Sequence, residues 1–513
     1  YTANGGLAKY KNELHKTENG VFRLTTQLRK SILLRNIFGV DIDAQAVEVT
    51  KLSLLLKVLE GENGETLGTT RRLFHERALP DLGNNIKCGN SLIGSNFYEQ
   101  ENLPELTDDD HYRINAFDWE DEFSEVFKSG GFDVVIGNPP YVQLEGERRD
   151  VLTRNYVIAN YTTGGFKTDL YPIFIEKALS LVKDKGAFSF IVPSNFATNN
   201  NSGPLRRLLV GSRRFSQIDV LQYKVFDKAS VDTAIILVTP ETRKAFSMNY
   251  IRDSSLTTSK SMALNATDVL KDSTALFSMH GNNNAIINKM AVHNKLKEFA
   301  YVNFGKQLRD RKKFTSDVID LEPAKALPKG YARCYTGKDI QRYNVRWNGL
   351  ACKTSRDAQS GGCWDNNRQN SKDKVLCRQV GTHPTFGIDT LGYQCLNTVF
   401  MVNVLTGKIS PFALLGVLNS KAIRYFWMNK FYDHRVTFPK IKGTYLKELP
   451  IPTLTKATHD RIARLAKEAT DLSGKDKVSR SDELRIKAAE RQIDEAINQA
   501  FSLTPDEIAL VES

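Results

Sequence analysis

Cysteine is scarce in this chain, with six in 513 residues and no CxxC pair among them. Cys88, Cys334, Cys352, Cys363, Cys377 and Cys395 are spaced too irregularly for a disulfide framework or a structural zinc site, so reduced thiols are the expectation. Five of them and His383 do fall within one stretch of about sixty residues, which keeps zinc as an alternative to the expected absence of metal. Long apolar runs are missing too. None approaches the roughly eighteen consecutive apolar residues of a membrane span, and the opening residues lack the basic, apolar and small-residue regions of a signal peptide. These absences exclude a disulfide scaffold and a membrane among the partners, and the cytoplasm is the expected compartment.

What is present is length, charge and a change of texture. The chain is too long for one ordinary domain. Its net charge of +12 is unevenly spread. Residues 1–240 carry 28 Lys and Arg against 31 Asp and Glu, whereas residues 241–513 carry 43 against 28, so the second half holds the whole basic excess. A surface that lies against phosphates needs such an excess, although a solvated face is the usual explanation for any single run.

Residues 1–240 alternate β-branched runs with helical periods, the pattern of a mostly parallel α/β sheet. Strands are predicted at 36–41, 133–137, 187–192, 217–223 and 233–238, with amphipathic helices over 44–59 and 169–181 and a surface loop around Asp108–Asp110. From about 241 the βα alternation gives way to short irregular strands. Leu449-Pro450-Ile451-Pro452 is a stop, because two prolines so close cannot sit inside a helix or a central strand. Beyond it, Ile462, Leu465, Ala466, Ala469 and Leu472, then Ile486, Ala489, Ile493 and Ile497, recur at helical spacing. Two helices folded back on each other are expected there, with Thr504-Pro505-Asp506-Glu507 starting a short terminal one. Three domains follow: 1–240, 241–452 and 453–513.

The sharpest local signal is Asp133-Val134-Val135-Ile136-Gly137-Asn138-Pro139-Pro140-Tyr141, an apolar strand ending in Gly and then Asn-Pro-Pro-Tyr. Ligands of open parallel sheets bind beyond the carboxyl ends of the strands, and two consecutive prolines there hold the backbone rigid and leave carbonyls free to face a substrate. Earlier, Ile37-Phe38-Gly39-Val40-Asp41-Ile42-Asp43 is a strand ending in an acid, which suits either the hydroxyls of a ribose or a helix cap. Lys87-Cys88-Gly89-Asn90-Ser91-Leu92-Ile93 contains a Gly-Asn turn.

In order and spacing these segments resemble the motifs of amino-directed S-adenosylmethionine-dependent DNA methyltransferases, in which the Asn-first tetrapeptide marks adenine as the target. The later segments Lys167-Thr168-Asp169-Leu170-Tyr171, Phe190-Ile191-Val192-Pro193-Ser194-Asn195-Phe196 and Val225-Phe226-Asp227 through Thr233 are similar to that family's later motifs in the same order. The resemblance continues through Phe304-Gly305-Lys306-Gln307-Leu308-Arg309, Tyr335–Tyr343, Leu415–Ser420 and Leu446–Pro452. Those segments look like the recognition region of TaqI-like adenine methyltransferases and of type IIG restriction–modification enzymes. Catalytic motifs first and recognition region last fits the gamma class.

The resemblance implies a Rossmann-like methyltransferase domain, an α+β target-recognition domain and C-terminal helices. It implies that Asn138 and the Pro139 carbonyl accept the two hydrogens of the adenine amino group, with Pro140 completing the tetrapeptide and Tyr141 stacking on the base. Asp41, Ile42 and Asn90 are implied to hold S-adenosylmethionine, with Asp43 capping the next helix. Phe226 is implied as a second contact to an extruded base, with core packing as the alternative. Lys306, Arg309, Arg311, Lys312, Lys313, Arg342, Arg378, Arg424, Lys430, Arg435, Lys440 and Lys442 are the candidates for contact with double-stranded DNA, most of them to phosphate. No obligate protein partner is implied.

The family's glycine-rich first cofactor turn is absent, so a domain truncated before its second strand is expected, and the piece alone is expected to be inactive. Asp320-Leu321-Glu322-Pro323-Ala324-Lys325 has the wrong spacing for a nuclease site. Two other readings stay open: a non-catalytic DNA-specificity fragment, and a protein glutamine methyltransferase, since those enzymes also use Asn-Pro-Pro-Tyr. The latter are short and lack so basic a second half.

Overall fold

The alternation in the first half resolves into short parallel strand pairs with helices between them. The structure, a computed structural model, describes residues 13–16, 20–60, 80–100, 103–143, 151–165, 169–227, 231–271, 275–277, 285–322, 325–432 and 439–512. Contacts divide the chain into two units, residues 1–190 with 237–241, and residues 191–236 with 242–513.

In the first unit α1 (Thr26–Asn36) leads into β1 (Gly39–Asp41), α2 (Ala44–Leu59) and β2 (Ile86–Cys88). Next come α3 (Asp108–Ile114), β3 (Phe132–Gly137), α4 (Val151–Asn160), α5 (Leu170–Leu181) and β4 (Val182–Pro193), the last cut by the unit boundary. β1 pairs in parallel with β2, and β3 in parallel with β4. The strand expected at 36–41 is shortened because α1 runs to Asn36, where its side chain donates to Ile32 O at 3.0 Å. The segment Asp108–Asp110 is not the expected loop. Thr107 and Asp110 form a reciprocal capping box, and three carboxylates in a first helical turn are favoured by the helix dipole.

Apolar surface in this unit is left in the open. Val49, Leu52 and Leu56, one stripe of α2, are 63, 56 and 59% exposed, and Val134 and Ile136, on one face of β3, are 64 and 82% exposed. An apolar stripe of that kind normally faces a core. β1 with β2, and β3 with β4, belong to different sheets.

The second unit begins with α6 (Gly203–Gly211), β5 (Phe215–Leu221), β6 (Thr233–Val238), which also spans the boundary, β7 (Ala245–Ile251) and β8 (Thr258–Asn265). β5 pairs in parallel with β7, and β7 antiparallel with β8. Arg206 of α6, fully buried, donates to the carbonyls of Phe196, Asn199 and Ala275 and so pins the turn after β4.

From residue 300 two four-stranded sheets take over. β9 (Ala300–Phe304), β13 (Lys374–Arg378), β14 (Phe386–Asp389) and β16 (Val399–Val404) form one in the order β9-β16-β13-β14. β10 (Val318–Asp320), β11 (Tyr331–Tyr335), β12 (Leu350–Lys353) and β15 (Gln394–Cys395) form the other in the order β10-β12-β11-β15. Two helices, α7 (Pro411–Leu418) and α8 (Lys421–Lys430), follow. Pro450 and Ile451 make only a two-residue strand against Asn294–Lys295, as a donor-less residue allows. The terminal helices form over α9 (Lys456–Ser473), α10 (Arg480–Ala500) and α11 (Pro505–Glu512), with Thr504 and Glu507 capping the last. One core joins these helices to the first sheet: Val375, Phe386 and Val402 pack with Leu415, Trp427, Ile462 and Ile493. Gly416 matters here, since a Cβ on it would stand 2.6 Å from Ile462 Cγ2, so α7 crosses α9 closely only without a side chain.

A buried ion pair ties the first sheet to its turn. The Lys374 ammonium and the Asp389 carboxylate are both fully buried, and Asp389 also accepts from Tyr335 Oη (3.1 Å) and from the amides of Leu391 (2.9 Å) and Gly392 (3.0 Å). Removing one partner strands a charge in the interior, so Asp389→Ala is expected to lower unfolding stability by about 3–5 kcal/mol. In urea denaturation a loss under about 1 kcal/mol would show that the pair carries no such role.

Candidate functional site

The residues implied to hold a nucleoside meet at the carboxyl ends of β1 and β2. Gly89 N–H donates to Asp41 O at 2.9 Å, which sets the end of β2 beside the end of β1 and brings Asn90 next to Asp41. Gly89 is required at this turn, because a Cβ there would lie 2.5 Å from the Phe117 ring. Asp41 is exposed, and one carboxylate oxygen accepts from Asp43 N–H at 2.8 Å. Asp43 caps α2, accepting from Gln45 (2.8 Å) and Ala46 (3.4 Å). Ile42, between them, is 55% exposed, and the Asn90 side-chain oxygen accepts from Leu92 N–H at 3.2 Å. A carboxylate oxygen, an exposed apolar side chain and an amide, side by side beyond two parallel strands, fit the ribose and base of a nucleoside.

Asn138-Pro139-Pro140-Tyr141 follows β3. Gly137 lets the strand end close on its neighbour: a Cβ would sit 3.1 Å from the Phe190 ring. Asn138 and Pro140 are exposed and Pro139 is buried. The loop is held from the start of α5, where Leu170 N–H donates to Val142 O at 2.8 Å, Gln143 bridges to Asp169, and the Tyr141 ring meets buried Tyr171 edge-on, centroids 6.3 Å apart. Burial pushes the Tyr141 phenol up to about 12, so its ring stays uncharged, and raises the Asp169 carboxyl as well. The sequence contained Asp169, Leu170 and Tyr171 as a motif without a role; here they brace the loop. Lys167 and Thr168 lie outside the described residues.

Phe226 falls in the second unit and is half-buried, with Lys224 Nζ on Asp227 O at 2.6 Å closing the turn around it. The basic candidates separate into engaged and available ones. Lys306 does not reach the surface: it is fully buried with its ammonium 4.4 Å over the Trp364 ring and no hydrogen-bond partner, so the expectation of a phosphate contact fails on access. Arg309 forks onto Asp317 (3.0 and 2.8 Å) and lies over Phe314, and Arg342 is paired with Glu490 at 2.6 Å. Lys442 donates to Thr198 O, and Lys430 sits over Phe426. Arg311, Lys312 and Lys313 are exposed on a turn around Asp310, and Arg424 and Lys440 are also exposed. Arg435 lies outside the described residues. Cys88 is exposed and the other five thiols are buried; among the described residues no group of three His, Cys, Asp or Glu side chains is placed to hold a metal ion.

With this geometry in view, the chain is set beside known proteins. Residues 35–226 match the family model of the Eco57I restriction-modification methylase, and residues 332–451 match that of the TaqI-like C-terminal specificity domain. Among individual proteins, the chain is similar to the type II restriction enzyme and methyltransferase RM.Eco57I of Escherichia coli, 30% identical over 250 residues. That match takes in 47% of this chain and 22% of the relative. It is also 29% identical over 261 residues to the type II methyltransferase M.PaeR7I of Pseudomonas aeruginosa, covering 46% of this chain and 43% of the relative. The match to RM.MjaORFECS2P of Methanocaldococcus jannaschii spans 26% of that protein, so the chain covers about a quarter of the first relatives. The type IIL restriction-modification enzyme MmeI, solved in complex with DNA, shares the fold at a TM-score of 0.58 and 12% identity, over 99% of this chain and 68% of its own.

The burial of Lys306 makes a testable claim. Lys306→Met replaces an unpaired interior ammonium by an apolar side chain of similar length, so the urea midpoint is expected to stay or rise. The salt dependence of duplex binding is expected to stay unchanged; a slope lower by about one would return Lys306 to the phosphate contacts.

Proposed function

We propose that this chain is the DNA-methylating and target-recognising part of a restriction–modification enzyme, of the gamma class, acting on the N6 amino group of an extruded adenine. The observation that carries the reading is Asn138-Pro139-Pro140-Tyr141, braced at the end of β3, in the same unit as Asp41, Ile42 and Asn90 at the ends of β1 and β2. The first unit is read as a Rossmann-like methyltransferase domain and the second, through its TaqI-like stretch, as the recognition domain for double-stranded DNA.

S-adenosylmethionine, when bound, supplies an electrophilic methyl group. Asp41 accepts from its ribose hydroxyls, Ile42 packs on its adenine and Asn90 meets that adenine's amino group. At the target base, the Asn138 side-chain oxygen and the Pro139 carbonyl each accept one amino hydrogen. Two acceptors draw the nitrogen towards tetrahedral geometry, and its lone pair, less delocalised into the ring, is freed to attack. Positioning and electrostatics do the work, with no covalent intermediate on the protein. Tyr141, its ring edge braced by Tyr171, stacks on the extruded base.

One observation favours a second reading for the chain taken alone, a DNA-specificity fragment without turnover. The exposed stripe of α2 and the exposed face of β3 are surfaces that a finished α/β domain buries, and they lie in the unit that carries the cofactor residues. Calorimetric titration with S-adenosylmethionine is expected to show no micromolar binding to the chain alone; such binding would remove this reading.

The main reading is tested with labelled cofactor and duplex DNA. Asn138→Ala is expected to cut methyl transfer on the order of a hundredfold or more while duplex affinity stays within a few fold. Near-normal turnover, or label appearing on protein rather than DNA, would overturn it.

A further inference from the structure

The loop between β13 and β14, residues 379–385, gathers cations that no carboxylate among the described residues answers. Arg378 ends β13, and its Nε is buried without a hydrogen-bond partner. Gly381 lets the loop backbone lie against that guanidinium, since a Cβ there would stand 3.2 Å from Arg378 Nε and 3.3 Å from His383 O. The Trp427 indole donates to Thr382 O at 3.1 Å and so fixes the loop to α8, on which Arg424 stands exposed one turn earlier. On the other side Gly381 N–H donates to Pro439 O (2.9 Å), Ile441 N–H donates to Gln379 O (2.8 Å), and exposed Lys440 bridges to Val380. Phe386, where β14 begins, exchanges two hydrogen bonds with the Asn419 side chain, 3.2 and 3.0 Å. The loop is therefore held at both ends and in its middle.

Among the described residues Arg378, Arg424 and Lys440 have no ion pair, whereas nearby Arg342 is already taken by Glu490. His383, whose Nδ1 is 3.1 Å from the Thr382 hydroxyl, is half-buried among these arginines. Burial first, then Arg424, Arg378 and Arg342, lower it to about 4, so the imidazole is neutral at physiological pH and adds a hydrogen-bonding group without a further charge. The direction of that hydrogen bond follows the tautomer: when Nδ1 accepts from the Thr382 hydroxyl, the ring proton is on Nε2 as a donor. Two unanswered guanidiniums around a neutral donor on a fixed loop make a seat for a tetrahedral oxyanion.

We propose that Arg378 at the end of β13, His383 on the loop between β13 and β14, and Arg424 on α8 form a preformed seat for a single backbone phosphate of duplex DNA. This rests on the reading of the second unit as the DNA-recognition domain, and it deepens that reading by naming three side chains that share one phosphate. Such a contact fixes register on the duplex and carries no base preference.

The test is duplex binding by the full chain, followed by fluorescence anisotropy on a labelled duplex of arbitrary sequence across a salt series. Arg378→Gln and Arg424→Gln are each expected to reduce the slope of log Kd against log salt by roughly one, the counterion release of one phosphate. The double variant is expected to lose roughly one as well, because both cations hold the same group. His383→Phe should weaken binding several fold and His383→Asn, which keeps a donor, should weaken it less. Melting temperatures of the variants are read alongside, and the comparison is made among those that fold as the parent does. Slopes that are unchanged, or that fall by two in the double variant, would overturn the shared seat while leaving DNA recognition standing. Failure of the parent chain to bind duplex at all would overturn both. Replacing chloride by inorganic phosphate at matched ionic strength is expected to leave binding unchanged; displacement of the duplex from the parent but not from Arg378→Gln would make the seat a free-phosphate site and overturn the assignment.

Discussion

Two successive prolines remove two amide donors from the segment that matters most, and the first unit is organised around that deficit. Residues 139 and 140 cannot enter a ladder through their nitrogens, so β3 has to stop and the loop has to be fixed by other means. The carbonyl side supplies them: Val142 O takes the Leu170 amide, and the Tyr141 ring is braced by Tyr171 at the head of α5. Because that bracing uses backbone acceptors beyond the prolines and the edge of one ring, the Asn138 side chain stays exposed. Gly137 and Gly89 play the matching part on the strands: a Cβ would crowd the Phe190 ring at the first and clash with the Phe117 ring at the second.

The second unit shows how a basic excess is divided between architecture and surface. Arg309 with Asp317, Arg342 with Glu490 and Lys374 with Asp389 spend cations on holding strands and turns. Lys306 and Arg333 lie against tryptophan rings, Trp364 and Trp347, where a cation gains attraction from the ring face. Of the cations the sequence offers for contact with DNA, those left exposed are Arg311, Lys312 and Lys313 on one turn and Arg424 and Lys440 beside the β13–β14 loop. Net charge alone overstates the surface on offer to a polyanion, since part of it is interior.

The sequence made the strand positions legible where β-branched and other apolar residues run together, as at 133–137 and 233–238. It also made Asp43 legible as a cap and the terminal helices legible from their spacing, because those signals are local. It failed where the deciding partner is near in sequence but chemically ambiguous, as with Asp108–Asp110, whose run of acids reads as loop until Thr107 is recognised as the N-cap. It failed again where the partner is remote. Nothing in Phe304-Gly305-Lys306 says that Trp364, nearly sixty residues on, will roof the lysine, and nothing near Arg342 announces Glu490 on a helix far downstream. The Asn-Pro-Pro-Tyr loop was visible in the sequence, but its brace was not, because the brace is made by main-chain atoms and one ring edge.

The shared core of the small sheet and the last helices bears on modularity. Ile462 of α9 closes over Gly416 of α7, and Ile493 of α10 packs in the same interior as Val375 and Val402. The Pro450-Ile451-Pro452 stop, which reads in the sequence as a domain border, is a short strand with residues of one shared core on both sides of it. A transplant of this unit into another scaffold has to carry the terminal hairpin with it. A cut at residue 452 would strip a wall from the sheet and expose the leucines of α7, so the smallest exchangeable cassette runs on past residue 500.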